Sequence, residues 1–276
     1  MGKIIITGAS DGIGAATAKQ LKDKAFDVVI VGRNPQKTKA IANSLKVPYH
    51  LADFSDLSQV VKLAEELSVY DTIDVLVNNA GGIMGERTVT RDGFEKTFQV
   101  NHLAPFLLTN LLLDKLVLNK TRVINTASIA ANAFGKNFDV TDLNNEKNYA
   151  PHTAYGYGKL ENILFTRELS KRYADKGIET YAFHPGVVRS NFAKETTHFM
   201  RFIYHSPLKY LTTISSEKSA SFLLNLVLGH PTIKYSPGEV YFKDKVMPVD
   251  FQDSSGKIAV ELWNKSEDML QQKGLL

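Results

Sequence analysis

Cysteine is absent from all 276 residues. That removes disulfides, thiolate nucleophiles and cysteine-ligated zinc together. The seven histidines are scattered with no HExxH or similar pairing, and His198 and His205 read as surface residues, so no metal site is expected. Long apolar runs are also missing. The first, KIIIT at 3–7, is too short for a signal peptide or for the ~20 residues of a membrane span. Gly2 invites an acylation reading, but Ile6 stands where that pattern needs Ser or Thr. The net charge of +4 is small and no run of Lys or Arg concentrates it, which leaves nucleic-acid binding without its basic stripe. The expectation is a cytoplasmic, soluble protein that binds no nucleic acid and has no membrane span.

What is present is a rhythm. Short continuous apolar runs at 3–7, 27–31, 73–77, 122–127, 179–183 and 238–242 alternate with amphipathic stretches at 13–24, 35–46, 56–69, 95–118, 154–175 and 216–228. Strands without an in/out alternation are buried on both faces, as in a parallel sheet. Strand and helix in alternation predict an α/β doubly wound parallel sheet in a single domain over 1–276. The segment 187–214, with Phe192, Phe199, Met200, Phe202, Ile203 and Tyr204, breaks the rhythm. It reads either as a lid over an apolar substrate or as a packing surface. Ile258, Leu262 and Trp263 mark a C-terminal helix that docks on the body of the protein.

TGASDGIGAAT follows the first strand and opens the first helix. Gly8, Gly12 and Gly14, with Ser10 and Ile13 between them, let the backbone turn tightly beside unpaired helix N–H groups, a cradle for a pyrophosphate. The second strand ends in VGRN, with Gly32 and Arg33 and no carboxylate. An acid there would hold a ribose 2′-hydroxyl, whereas an arginine grips a 2′-phosphate with two donors. Arg33, helped by Ser10 and Lys37, therefore points to NADP rather than NAD.

AYGYGKLEN at 154–162 places Tyr155 and Lys159 four apart, on one face of a helix, with Tyr157 turned away. A free phenol ionises near pH 10. A cation about 4 Å away is worth roughly 4 kcal/mol at an effective dielectric near 20, enough to poise a phenol for proton exchange near neutrality. Taken alone the stretch reads as a helix with ordinary aromatic packing; beside a bound nicotinamide Tyr155 is the acid/base, and Tyr157 packs or rims the pocket.

With NNAGG (78–82), VNHLAPF (100–106), INTASIA (124–130) and FHPGVVRS (183–190), these motifs resemble the short-chain dehydrogenase/reductase family in order and spacing over roughly residues 3–245. The stretches DGFEKTFQVNHLAPFLLTNLLL and ENILFTRELSKRYADKGIETYAFHPGVVRS look like its retinol dehydrogenase-like branch. The resemblance implies a Rossmann-type fold, hydride transfer between nicotinamide and a carbonyl or alcohol, and a tetrad of Asn101, Ser128, Tyr155 and Lys159. It also implies that Ser128 holds the substrate oxygen, that Lys159 holds the nicotinamide ribose, and that the Asn101 main chain holds a water leading to Lys159. Pro105 has no N–H to close a helical bond to the Asn101 carbonyl, which suits that role, a simple helix kink being the alternative. Asp53 is implied beside the adenine, a helix N-cap being its alternative. Asn79, Ala80 and Gly81 are implied along the cofactor, with Pro185, Gly186, Val188 and Ser190 near the nicotinamide.

Gly158, where relatives carry a Ser or another small residue, is expected to loosen its helix turn. Retinoid-acting relatives often carry an N-terminal membrane span, and none is read here, which weighs against a retinoid. A homodimer or homotetramer packed through the helices near 101–118 and 154–175 is a further implication. Two other functions are compatible with a nucleotide fold. A non-catalytic NADP-binding redox sensor would be free to lose Tyr155 or Lys159. A sugar-nucleotide epimerase would need a larger C-terminal substrate domain.

Overall fold

The structure, a computed structural model, describes residues 2–188, 213–251, 253 and 255–276. The chain runs β1 (Lys3–Thr7), α1 (Gly12–Asp23), β2 (Val28–Gly32), α2 (Pro35–Leu45), β3 (Tyr49–Leu51), α3 (Leu57–Ser68) and β4 (Ile73–Asn78). It continues through α4 (Lys96–Phe98), a π-helical turn at Gln99–Leu103, α5 (Ala104–Leu111), α6 (Leu113–Asn119), β5 (Arg122–Thr126), α7 (Ala130–Phe134), α8 (Pro151–Tyr173) and β6 (Glu179–Phe183). The last elements are α9 (Ser216–Leu228), β7 (Val240–Phe242), β8 (Lys245–Val246) and α10 (Lys257–Gln271).

The eight strands form one sheet in the order β3-β2-β1-β4-β5-β6-β7-β8, parallel except for the β7–β8 pair. This is the doubly wound α/β sheet that the alternation predicts. The chain reverses direction across the sheet between β1 and β4, and the crevice at such a switch point is where open α/β sheets take ligands. Apolar layers cover both faces. One packs Ala18 and Leu21 of α1 and Leu223 and Val227 of α9 on the sheet. The other gathers Phe98, Phe106, Phe165 and Trp263.

Three local features depart from the sequence reading. β3 is a three-residue edge strand with Tyr49 and Leu51 exposed, so no apolar run announced it. The expected helix over 95–118 is divided: across Gln99–Leu103 the ladder lengthens, with the Ala104 N–H reaching the Gln99 carbonyl. Pro105 supplies the cause, since it has no N–H to keep the i→i+4 register. α7 was not expected at all.

Trp263 of α10 packs edge-on to Phe106, with ring centres 5.0 Å apart, and lies 5.7 Å from Phe165. The docking role of the C-terminal helix is therefore as expected. Part of the α5 and α8 surface that the resemblance assigns to subunit packing is covered by this chain's own helix. Among the described residues, no helix is long and apolar enough to cross a membrane. Most of the 187–214 segment, including all six of its named apolar residues, lies outside the described residues, as does Ser190. Val188 and Ile214, at its ends, meet in a single parallel bridge.

Candidate active site

The glycine loop leaves β1 at the switch point. Gly8 and Gly12 have φ of 65° and 56°, values that disfavour a side chain. A Cβ on Gly14 would stand 2.6 Å from the Gly8 carbonyl oxygen, so the loop folds onto the start of α1 only with glycine there. Asp11 caps that helix by accepting from the Gly12 N–H at 2.8 Å, and the first turn carries no acidic residue. The N–H groups that follow have no intrahelical acceptor and form an anion cradle.

The NNAGG segment is tied to this loop. Asn79 donates its side-chain amide to the Thr7 carbonyl at 3.0 Å, and the Thr7 hydroxyl accepts from the N–H groups of Asn79 and Ala80, both at 3.0 Å. Next to the loop, Gly32 lies so close to Ser10 that a Cβ would come within 2.9 Å of the serine's own. Arg33 follows, exposed, and makes no ion pair among the described residues. Lys37, expected to assist it, is instead paired with Asp11 at 3.1 Å.

Asp53 is not the N-cap of α3; Asp56 is, accepting from the Ser58 N–H at 3.1 Å. The Asp53 carboxylate instead accepts from the N–H and hydroxyl of Ser55, and its segment continues from Ala52, whose N–H bonds the Gly32 carbonyl. Loop, β2 end and β3 end thus share one edge, and the cradle, the glycines and the unpaired cation fit a dinucleotide.

Lys159 is the centre of the second cluster. Its side chain is 2% exposed, and Nζ donates to the Thr126 carbonyl at 3.0 Å. Nζ stands 5.6 Å from the ring centre of Tyr155, itself buried, one turn earlier on α8. A Cβ on Gly81 would meet Asn101 Oδ1 at 2.5 Å and Lys159 Nζ at 3.2 Å, so NNAGG, the π-turn and α8 converge on this lysine. Asn101 uses its side chain as a clamp: Oδ1 accepts from the Gly82 N–H at 3.0 Å, and Nδ2 donates to the carbonyls of Gly82 and Thr97, both at 2.9 Å.

Burial pushes the Lys159 ammonium down from 10.5 to about 7. The Tyr155–Lys159 spacing predicts a fully charged neighbour for the phenol; in the folded chain that cation is itself close to losing its proton. His102 and His184 are pushed down by burial to about 3 and about 4, so neither supplies a charge near neutrality.

Ser128 is half-buried just beyond β5, two residues from the Thr126 carbonyl, and its hydroxyl accepts from the Ala130 N–H at 3.2 Å as α7 begins. α7 lies against α8 at Gly156, where a Cβ would be 2.5 Å from Phe134 Cβ and 2.8 Å from the Ala130 carbonyl oxygen. Gly158 does the same toward Asn101, with a Cβ at 3.1 Å. It does not loosen the helix turn but lets the π-turn approach. Tyr157 packs edge-on to Phe138 and donates to the Asn137 carbonyl at 3.0 Å, a rim contact on the far side from Lys159. Beyond β6, Pro185 and Gly186 (φ 81°) lead to buried Val188, and the Pro185 carbonyl accepts from Ser219 at 2.8 Å.

Two buried groups on the same stretch of α8 carry no mark in the sequence reading. Asn162 donates to the same Thr126 carbonyl at 3.1 Å. Glu161 is buried, with both carboxyl oxygens lacking a partner among the described residues, and burial together with the charge of Glu95 pushes its pKa well up. The i+3 spacing from Lys159 to Asn162 was available as a signal. Nothing in the pattern marked Glu161.

The family model for short chain dehydrogenase matches residues 3–201. Retinol dehydrogenase 12 of Homo sapiens is 35% identical over 277 residues, covering 97% of this chain and 85% of its own. A Streptomyces sp. (strain C5) protein named as a candidate daunorubicin C-13 ketoreductase, DnrU, is 35% identical over 95% of this chain and 90% of its own. The crystal structure of an uncharacterised protein from Mycobacterium paratuberculosis superposes with a TM-score of 0.74 at 29% identity, over 98% of this chain and 94% of that one. With its sheet, its glycine loop and these likenesses, the chain belongs to the short-chain dehydrogenase family of oxidoreductases, in the branch of the retinol dehydrogenases.

Proposed function

We propose that this protein is an NADP(H)-dependent oxidoreductase interconverting the carbonyl and alcohol forms of a bulky, largely apolar small molecule, with Tyr155 as the acid/base. The observation that carries this reading is the buried Lys159 beside Tyr155, at the point where Gly81 and Asn101 converge. A bound nicotinamide supplies or accepts the hydride. Gly8 and Gly12 would let the loop approach the pyrophosphate, Ile13 and Gly14 would hold it through backbone N–H groups, and Ser10 and Arg33 would hold the 2′-phosphate. Asp53 would stand by the adenine, and Asn79, Ala80 and Gly81 would line the bound dinucleotide. Pro185, Gly186 and Val188, with Ser190 beyond the described residues, would flank the nicotinamide end.

The protein's own work is proton management. Ser128 and Tyr155 orient the substrate oxygen by hydrogen bonds, and donors aimed at developing oxyanion charge are a large part of such catalysis. In reduction, the Tyr155 hydroxyl gives its proton to the forming alkoxide; in oxidation, it takes the alcohol proton. Lys159, near half-charged at pH 7, can stabilise the phenolate or release a proton with little free-energy change. The Asn101 carbonyl, which Pro105 cannot reach with an N–H, is the outlet through which Lys159 would exchange protons with solvent. A bulky substrate is supported by the relatives' names, one naming retinol and another a daunorubicin ketone, and retinol is largely apolar.

The test is a panel of bulky aldehydes, ketones and their alcohols, followed by nicotinamide absorbance with NADPH and NADH in parallel. We expect NADPH to be preferred at equal concentration, and Arg33→Glu to reverse the preference. Faster turnover with NADH would remove the role of Arg33. Tight NADPH binding with no turnover of any compound would leave a non-catalytic nucleotide sensor.

A further inference from the structure

Lys159 does not have the Thr126 carbonyl to itself. Asn162, one turn further along α8, donates its side-chain amide to the same oxygen, at 3.1 Å against 3.0 Å for the lysine. That orientation turns Asn162 Oδ1 the other way, toward His102 on the π-turn. The two side chains interact, Asn162 favouring the protonated ring, although burial outweighs it and keeps the ring neutral. Both Asn162 Oδ1 and His102 Nδ1 are fully buried and neither has a complete hydrogen bond among the described residues. Each therefore has only the other to answer its polarity. On its far side, His102 Nε2 meets the Ser266 hydroxyl of α10 at 2.9 Å, across 164 residues of sequence. Phe98, Phe106 and Phe165 surround the ring at 5.7–6.0 Å between centres.

The tautomer follows from the amide. With Nδ2 committed to Thr126, the oxygen facing His102 favours a proton on Nδ1, and Nε2 is then the acceptor for the Ser266 hydroxyl. Reversing the amide would set its carbonyl against the Thr126 carbonyl. One buried line of polar groups thus runs from the C-terminal helix to the lysine.

We infer that Asn162, held in orientation by His102 and Ser266, is a positioning residue for Lys159, acting through the Thr126 carbonyl that the two share. This rests on the proposed role of Lys159, but it can be measured without turnover. Two donors divide one oxygen, so the amide limits how strongly that oxygen holds the ammonium. A carboxylate at 162 would fall within the roughly 4–6 Å at which an opposite charge moves a pKa by 1–3 units. Among the described residues the titratable side chain that Lys159 Nζ faces is Tyr155, at 5.6 Å from its ring centre, and burial holds the lysine's pKa down.

The experiment measures urea unfolding free energy from pH 7 to 9.5, without cofactor, for the wild type, Asn162→Asp and Asn162→Leu. Each is made again in a Lys159→Met background. In the wild type, stability rises with pH as the buried lysine ceases to be disfavoured. Asn162→Asp is expected to move the start of that rise upward by at least about one pH unit. Asn162→Leu, which leaves the oxygen to the lysine, is expected to move it upward by less, and that shift is expected to vanish in the Lys159→Met background, whereas the Asn162→Asp variant there shows only the new carboxylate's own titration, which is subtracted. An unchanged profile in both variants, or an Asn162→Leu change that survives in Lys159→Met, overturns the inference. If Asn162→Asp does not fold, Asn162→Leu decides in the same way. Where turnover is found, the lysine-dependent limb of the kcat profile is expected to move in the same direction. A wild type without turnover refutes the proposed function and leaves this measurement standing.

Discussion

Replacing Lys159 by methionine should make the protein more stable and inactive at once. Burial lowers the lysine from 10.5 to about 7, which at 1.36 kcal/mol per pH unit corresponds to about 5 kcal/mol against the charged form. The sign follows from proton counting. Between about pH 7 and 10.5 the unfolded chain carries a proton on this lysine that the folded chain does not, so stability rises with pH across that window. Below pH 7 both states are protonated and the cost is constant. At pH 7 the folded lysine is half-charged, and about 4 kcal/mol of the cost remains.

Methionine, of similar length, removes that cost but gives up the bond to Thr126, worth about 1 kcal/mol, and the weak attraction to the Tyr155 ring. The net expectation is a gain of about 3 kcal/mol at pH 7, shrinking by about 1.4 kcal/mol for each pH unit above it. Urea unfolding of both proteins at pH 7, 8 and 9, without cofactor, measures the difference. Turnover of the same variant should fall by about 10²–10⁴, the span of a lost acid–base contribution. A stability difference that stays flat from pH 7 to 9 would refute the reasoning, because it would mean that the lysine keeps an ordinary pKa despite its burial.

Glu161→Gln should stabilise the protein at neutral pH. The carboxyl's pKa is raised above its ordinary 4.5 by burial and by Glu95, so the folded state binds the extra proton, and wild-type stability falls as pH rises above that value. The slope, up to about 1.4 kcal/mol per pH unit, should be absent in the variant; thermal unfolding at pH 5 and 7 reads it. Gly156→Ala should destabilise by about 1–3 kcal/mol, since its Cβ would come within 2.8 Å of the Ala130 carbonyl oxygen and push α7 away, and it should raise KM through the displaced Ser128. Steady-state kinetics would separate the two tyrosines: Tyr155→Phe should abolish turnover, whereas Tyr157→Phe, losing one bond to Asn137, should keep kcat within a few-fold of wild type.

The fold was legible where the physics is local. Short apolar runs marked β1, β2, β4, β5 and β6, and their alternation with helices marked the doubly wound sheet. The reading stopped where short-range signals are degenerate. In LADFSDLS both aspartates are followed two residues later by serine, and both make the same contact: Asp53 accepts from Ser55 as Asp56 does from Ser58. Which of them caps α3 is decided by where the helix docks, with Arg91 held on Asp56 at 2.9 Å. The stretch 95–118 kept its apolar face throughout, so periodicity could not reveal a π-turn. Pro105 was the only mark, and it tells where a ladder fails without telling which register replaces it.

The same division runs through the site. That Tyr155 and Lys159 share a face is a property of helix geometry, and it held. How much charge the lysine carries is a property of burial, which depends on Gly81 beyond the end of β4, Asn101 from the π-turn and Thr126 from β5 closing around it. Spacing along one helix contains none of that. The consequence reaches the chemistry. A permanently charged lysine would do no more than favour the phenolate, whereas one poised at about 7 can also pass its own proton on. On the proposed mechanism the phenol and the lysine act as a pair, and apparent pKa values in a rate profile then belong to both. Any residue that shares an acceptor with the lysine, as Asn162 does, acts on that pair without touching a substrate.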